Sequence, residues 1–208
     1  MTPQVVILAA PSGGGKTTIT QRLLEARPRD LGYSVSATTR PPRPGERDGE
    51  AYHFLTRAEF ERRRAAGEFL ESAEYAGHLY GTLREEVERV LRSGRHVVMD
   101  IEIDGARQVR AQYPWPRSVS IFVLPPSVAV LRERLRERRS ESPGDLARRL
   151  SRAVAEVGAA GEFDYRVVND RLDDAVREIE AIIDGRRARR GLTAADSALI
   201  QELQRGLT

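Results

Sequence analysis

The sequence predicts an α/β fold: a parallel sheet flanked by helices, with a small α+β module inserted into it and a helical flap above it. Three observations carry this. Short, wholly apolar runs recur between helical patterns, and an apolar run without polar alternation is a strand buried on both faces, as in parallel sheets. The first such run passes through a glycine cluster straight into a helix. Residues 34–82 then break the alternation with a loop rich in proline and glycine, short strands and one helix.

In chain order, Val5–Ala9 is the first buried strand, and Gly13–Gly15 lead from it into a helix over Lys16–Ala26. The irregular stretch Ser34–Thr82 contains Arg40-Pro41-Pro42-Arg43-Pro44-Gly45 and a helix announced by Thr56 with Glu59 three residues on, the spacing of a capping box. Arg95–Ile101, Ser118–Leu124 and Tyr165–Val168 are the remaining core strands, with helices over Leu83–Ser93 and Asp104–Gln112. A long arginine-rich helical stretch starts at Ser127 and is interrupted at Ser142-Pro143-Gly144, which makes it a flap. An amphipathic helix runs from after Asp170 to about Asp184, and Thr193–Arg205 forms a last short helix with Thr193 and Asp196 spaced as a cap. The expected division is a core of 1–34, 83–127 and 161–185, an inserted module of 35–82, a lid of 128–160 and a basic tail of 186–208.

Composition narrows the function classes. At 208 residues with 40% hydrophobic and 31% charged, the chain can bury a core, which excludes disorder as a class. No apolar run approaches the roughly 20 residues of a membrane span, and no basic-then-apolar leader opens the chain. The absence of cysteine rules out disulfides and thiolate metal sites and fits a reducing compartment, so a cytoplasmic location is expected. The net charge of +3 suggests nucleic acid at first sight. Its placement argues against it: residues 1–185 hold 29 basic and 29 acidic side chains, and the surplus sits in the tail. Of the 34 basic residues, 33 are arginine, and the only lysine is Lys16.

That lysine lies in Ala10-Pro11-Ser12-Gly13-Gly14-Gly15-Lys16-Thr17-Thr18, between a buried strand and a helix. A phosphate loop requires this context: glycines let the backbone wrap so that N–H groups point at phosphate oxygens at the helix N-terminus. Lys16 is placed to reach the β- and γ-phosphates of a nucleotide, and Thr17 to face Mg²⁺. Ala10 stands where the strict pattern has glycine. Asp100 ends the apolar strand Val97-Val98-Met99, so it points to the ligand crevice at the carboxyl end of a parallel sheet and orders Mg²⁺ through water.

Further motifs follow: Ser36-Ala37-Thr38-Thr39-Arg40-Pro41-Pro42-Arg43-Pro44-Gly45-Glu46, Tyr52, Glu68-Phe69-Leu70-Glu71, Tyr80-Gly81-Thr82, Asp100-Ile101-Glu102, Pro125-Pro126-Ser127 and Val167-Val168-Asn169-Asp170. In order and spacing, from about Val5 to Asp184, this series closely resembles the guanylate kinase family. The resemblance implies a P-loop NTPase-type core and Mg²⁺-dependent transfer of the ATP γ-phosphoryl group to GMP, with dGMP as a second acceptor. It implies an acceptor site of Ser36, Arg40, Arg43, Glu46, Tyr52, Glu71, Tyr80, Thr82, Asp100 and Glu102, with Tyr52 and Tyr80 hydroxyls on the acceptor phosphate. It implies that Arg134, Arg138 and Arg149 close over the ATP phosphates, joining Lys16 and Arg40 in catalysis, and that Asn169 contacts adenine.

Physical chemistry agrees with several of these roles. Arg40 and Arg43, three apart and stiffened by prolines, can chelate one phosphate with planar multi-donor groups. Guanine offers N1–H and N2–H₂ donors beside the O6 acceptor, so the Glu71 carboxylate complements the donors and the Ser36 and Thr82 hydroxyls can donate to O6. The sequence departs from the family at Glu102, where aspartate is usual, and around Arg138, where Glu137 and Arg139 replace glycines, so Arg138 and Arg139 can share or exchange roles. Two readings from other classes compete. A non-catalytic guanylate-kinase-like interaction domain characteristically loses the phosphate loop, which is intact here, and a nucleic-acid-dependent ATPase would not carry the acceptor motifs. The expected partners are therefore ATP and GMP, without nucleic acid or membrane.

Overall fold

Val5–Ala9 (β1) is buried at every position, as a strand with both faces covered must be. The computed structural model describes residues 2–75, 77–137, 143–189 and 191–207. β1 is the middle strand of a five-stranded sheet ordered β2-β7-β1-β8-β9, in which β2 is Leu31–Tyr33, β7 His96–Asp100, β8 Ser118–Leu124 and β9 Tyr165–Val168. β2 runs parallel to β7, and β8 parallel to β9. This is the parallel α/β core that the apolar runs predict. The extra strand is β2, whose three residues include a glycine and are too short to show a period. By its contacts the chain divides into two compact units, residues 1–6 with 27–118, and residues 7–26 with 119–208.

The first unit holds a second sheet of four strands, ordered β4-β3-β6-β5: β3 is Ser36–Thr38, β4 His53–Phe54, β5 Phe69–Tyr75 and β6 His78–Leu83. Helix α2 (Arg57–Ala65) buries Phe60, which stacks on Phe69 at 4.2 Å between ring centroids and joins Ala37, Leu79 and Leu83 in a small core. Thr56 caps α2 by accepting the Glu59 N–H at 3.1 Å. The Glu59 carboxylate binds Arg62 and Arg63 instead of completing a capping box, and those two arginines pull its pKa down to about 2. Helix α3 (Arg84–Arg92) follows β6, and α4 (Ile103–Gln112) follows β7. Gln108 and Gln112 of α4 hydrogen-bond the backbone of β5 at Ser72 and Leu70.

In the second unit, β1 feeds the glycine loop and α1 (Lys16–Ala26). The arginine-rich stretch is two helices, α5 (Val128–Glu137) and α6 (Pro143–Gly158), followed by a short 3₁₀ turn at Ala159–Glu162, and α7 (Leu172–Ile183) follows β9. The tail holds helix α8 (Ala194–Leu207). Its start is a reciprocal cap, Thr193 N–H to Asp196 and Asp196 N–H to Thr193 Oγ1. Leu207 packs with Leu131, Leu135 and Ala153 of α5 and α6, and Arg132 donates to the Gly206 carbonyl at 2.7 Å. The tail is thus part of the folded unit. Leu203 has no exposed surface, so Leu203→Ala is expected to cost about 2–4 kcal/mol by urea unfolding, whereas a loosely attached tail would show no change.

Candidate active site

The loop between β1 and α1 turns on its glycines. Gly13 and Gly15 have φ of +84° and +90°, a region that L side chains rarely adopt. Between them the Gly14 N–H closes a turn on the Pro11 carbonyl at 2.8 Å. Lys16 and Thr17 are the first two residues of α1. Asn169, at the end of β9 and 5% exposed, donates from Nδ2 to the Gly14 carbonyl at 3.0 Å, and Arg134 of α5 donates to the Asn169 carbonyl at 3.0 Å. Gly13, Gly15, Thr18, Arg134, Asn169, Asp170 and Leu172 line one cleft of about 420 Å³. Arg134 Nη1 is buried there with no hydrogen-bond partner among the described residues, an arrangement that favours an incoming anion. Arg149 lies on α6, and Arg138 and Arg139 fall outside the described residues.

The first unit gathers the residues of the second motif series. Strand register sets Ser36 opposite Thr82, and Thr82 opposite Glu71, in one row across the four-stranded sheet. Glu71 is 7% exposed and accepts the Thr82 hydroxyl at 2.7 Å. Thr82 therefore spends its one hydrogen on Glu71, and donation to a ligand carbonyl asks the hydroxyl to turn. Gly105 of α4 lies so close that a Cβ there would stand 2.6 Å from Glu71 Oε2. Sequence reasoning missed this residue, although glycine inside a helix, which costs about 1 kcal/mol against alanine, was a signal.

On the loop before β4, Arg40 holds Glu46 through both Nη atoms at 2.9 Å, and Glu46 also accepts the Arg43 N–H at 2.7 Å. The Arg40 guanidinium lies 5.4 Å from the Tyr52 ring centroid and 5.7 Å from that of Phe54, and Tyr52 meets Tyr80 edge-on at 6.0 Å. Glu46 is thus the anion already seated on Arg40. Asp100 accepts the Tyr33 hydroxyl at 2.8 Å. Burial first, and then the Asp100 charge, push the Tyr33 pKa far up, so Tyr33 stays a donor. The same two causes raise the Tyr52 pKa. Tyr33 was not singled out from sequence because a lone tyrosine on a three-residue strand carries no pattern. Glu102 precedes α4 as an exposed residue and makes no side-chain cap.

Comparison with known proteins decides the family. The profile of the guanylate kinase family matches residues 2–186. The chain belongs to the guanylate kinase family. A guanylate kinase of Nostoc sp. is 51% identical over 182 residues, covering 88% of this chain and 90% of the relative. That of Symbiobacterium thermophilum is 48% identical over 199 residues, covering 96% and 92%. The crystal structure of guanylate kinase from Anaplasma phagocytophilum superposes with a TM-score of 0.71 at 29% identity, covering 98% of this chain and 96% of that one. The whole α/β core of this guanylate kinase family member is therefore shared with a solved relative.

The Arg40–Glu46 pair has a pH signature. Hydrogen bonds from Arg40 first, and then from the Arg43 N–H, hold Glu46 below the usual carboxylate range. A depressed folded pKa means the pair is complete above the ordinary carboxylate pKa and is lost as pH falls through the depressed one. Carbon-detected NMR titration should find the Glu46 midpoint below those of freely exposed glutamates, and Arg40→Ala should raise it. An ordinary midpoint in the native chain would show that the pair does not form in solution.

Proposed function

We propose that this chain transfers the γ-phosphoryl group of ATP to GMP, giving ADP and GDP, and accepts dGMP as well. The observation that carries the acceptor is Glu71, a carboxylate buried against Thr82 and Gly105 in a row with Ser36. A buried carboxylate needs donors, and the guanine N1–H and N2–H₂ edge supplies two side by side. Adenine presents an acceptor at N1 instead. A site built around a required hydrogen bond rejects the analogue lacking it by about 10⁴–10⁵. No contact named here needs a ribose 2′-hydroxyl, hence dGMP.

For the remaining roles, Arg40, Arg43, Tyr52 and Tyr80 bind the acceptor phosphate, with Glu46 holding Arg40 and the Arg43 backbone in place. Asp100, fixed by Tyr33, and Glu102 complete that side. The loop from Ala10 through Pro11, Ser12, Gly13, Gly14, Gly15, Lys16 and Thr17 to Thr18 binds the ATP phosphates, and Asn169 borders the adenine. Lys16, Arg134, Arg138 and Arg149 meet charge on the transferring group, where positioning and electrostatics supply most of the catalysis. The acceptor phosphate oxygen is already a nucleophile, so no general base is needed. In this reading 35–82 is the acceptor module, 128–160 the lid, and the rest of 1–185 the core.

The residues present fit Mg²⁺ carried by nucleotide phosphates. Among the described residues no cluster of three or more His, Asp or Glu forms a cage. Thr17 offers a hard hydroxyl oxygen at the start of α1 and Asp100 a carboxylate at the end of β7, as suits an ion that keeps its waters and its phosphate ligands. When bound, the ion screens phosphate charge. No helix among the described residues is long and apolar enough to cross a membrane, and the proposed location is the cytoplasm.

A coupled ADP-release assay with ATP against GMP, AMP, UMP and CMP tests the reading. GMP alone is expected to turn over, and comparable AMP turnover would refute the role of Glu71. In the same assay Lys16→Ala should lower turnover by at least about 10³-fold while the far-ultraviolet spectrum stays native, because a charge aimed at the transferring group is lost. Near-native turnover would remove Lys16 from the chemistry.

A further inference from the structure

The phosphate loop is fastened at a second point that neither the motifs nor the family roles above use. Glu156 sits on α6, is 7% exposed, and accepts the backbone N–H of Ser12 through Oε2 at 2.9 Å. Its other oxygen, Oε1, accepts Arg152 Nε, one turn earlier on the same helix, at 2.9 Å. A carboxylate beside a loop that receives polyphosphate is electrostatically costly unless its charge is balanced, and Arg152 balances it. Such an expensive group at this position calls for a role.

We propose that Glu156 is a positioning residue for the phosphate loop. It takes the Ser12 N–H, while the Gly14 N–H is turned back on Pro11 and the Gly14 carbonyl is held by Asn169. The fixed Ser12 N–H and the Pro11–Gly14 turn flank Gly13, whose backbone holds a positive φ. Leu131 and Leu135 of α5 close the same place from the apolar side, standing 3.0–3.2 Å from where a Gly13 Cβ would be. The loop is therefore shaped before any ligand arrives, which lowers the ordering cost of binding.

This rests on the reading that ATP occupies the phosphate loop, and the test separates the two. Steady-state kinetics and calorimetric ATP binding are measured on the native chain, Glu156→Ala and Glu156→Gln. Loss of a charged acceptor from the part-buried Ser12 N–H should raise the KM and Kd for ATP about tenfold or more in Glu156→Ala while the KM for GMP stays within about twofold. Glu156→Gln keeps an oxygen for Ser12 but loses the charge and the Arg152 pair, so it should fall between, at about threefold. If Glu156→Ala does not fold, Glu156→Gln alone carries the test. A folded variant with native KM for ATP overturns the proposal, as does an equal rise in both KM values, which marks general loosening. A native chain that binds no ATP overturns the reading of the loop and this role with it.

Discussion

The glycine loop after β1 is the constraint on which the second unit of this protein depends. Two of its residues hold positive φ, and a loop of glycines loses more entropy on ordering than any other sequence. It is ordered because distant elements hold it: Asn169 on the Gly14 carbonyl, Glu156 on the Ser12 N–H, and a strand whose every residue is buried behind it. Arg134 adds a link by donating to the Asn169 carbonyl, so α5 and the end of β9 are tied to one another as well as to the loop.

The first unit applies the same rule to polar side chains. Arg40 is paired with Glu46, Glu71 with Thr82, and Asp100 with Tyr33, and each pair lies inside the first unit. A guanidinium or carboxylate left alone in a partly buried site would carry a desolvation cost or pull in water. Pairing gives each of these side chains a hydrogen-bond partner inside the fold. These groups therefore hold one another in place within the first unit.

The arginine-rich tail looks different in three dimensions. Its charges read in sequence as a basic surplus with no assigned task. In the folded unit Arg186 pairs with Asp184, and Arg187 and Arg189 with Glu178 and Asp164, while Ile200, Leu203 and Leu207 turn inward. The surplus thus accompanies a docked helix on α5 and α6, and net charge alone said nothing about it.

How much was legible follows from the range of each signal. Local patterns gave the strands β1, β7, β8 and β9, the helix after the loop, the Thr193–Asp196 cap and the phosphate loop itself, because each is written in consecutive residues or in one period. The motifs of the first unit were readable only as a series, since a single glutamate or tyrosine has no local mark. What tertiary structure alone decided are the long-range pairings: Glu156 with Ser12, Tyr33 with Asp100, Asn169 with Gly14, and Gly105 against Glu71. Residues 144 apart meet only after both of their elements have packed. Hydrogen bonds of that kind depend on placement to a fraction of an ångström, and such placement comes from the packed core, whereas local periodicity comes from the backbone of each segment by itself.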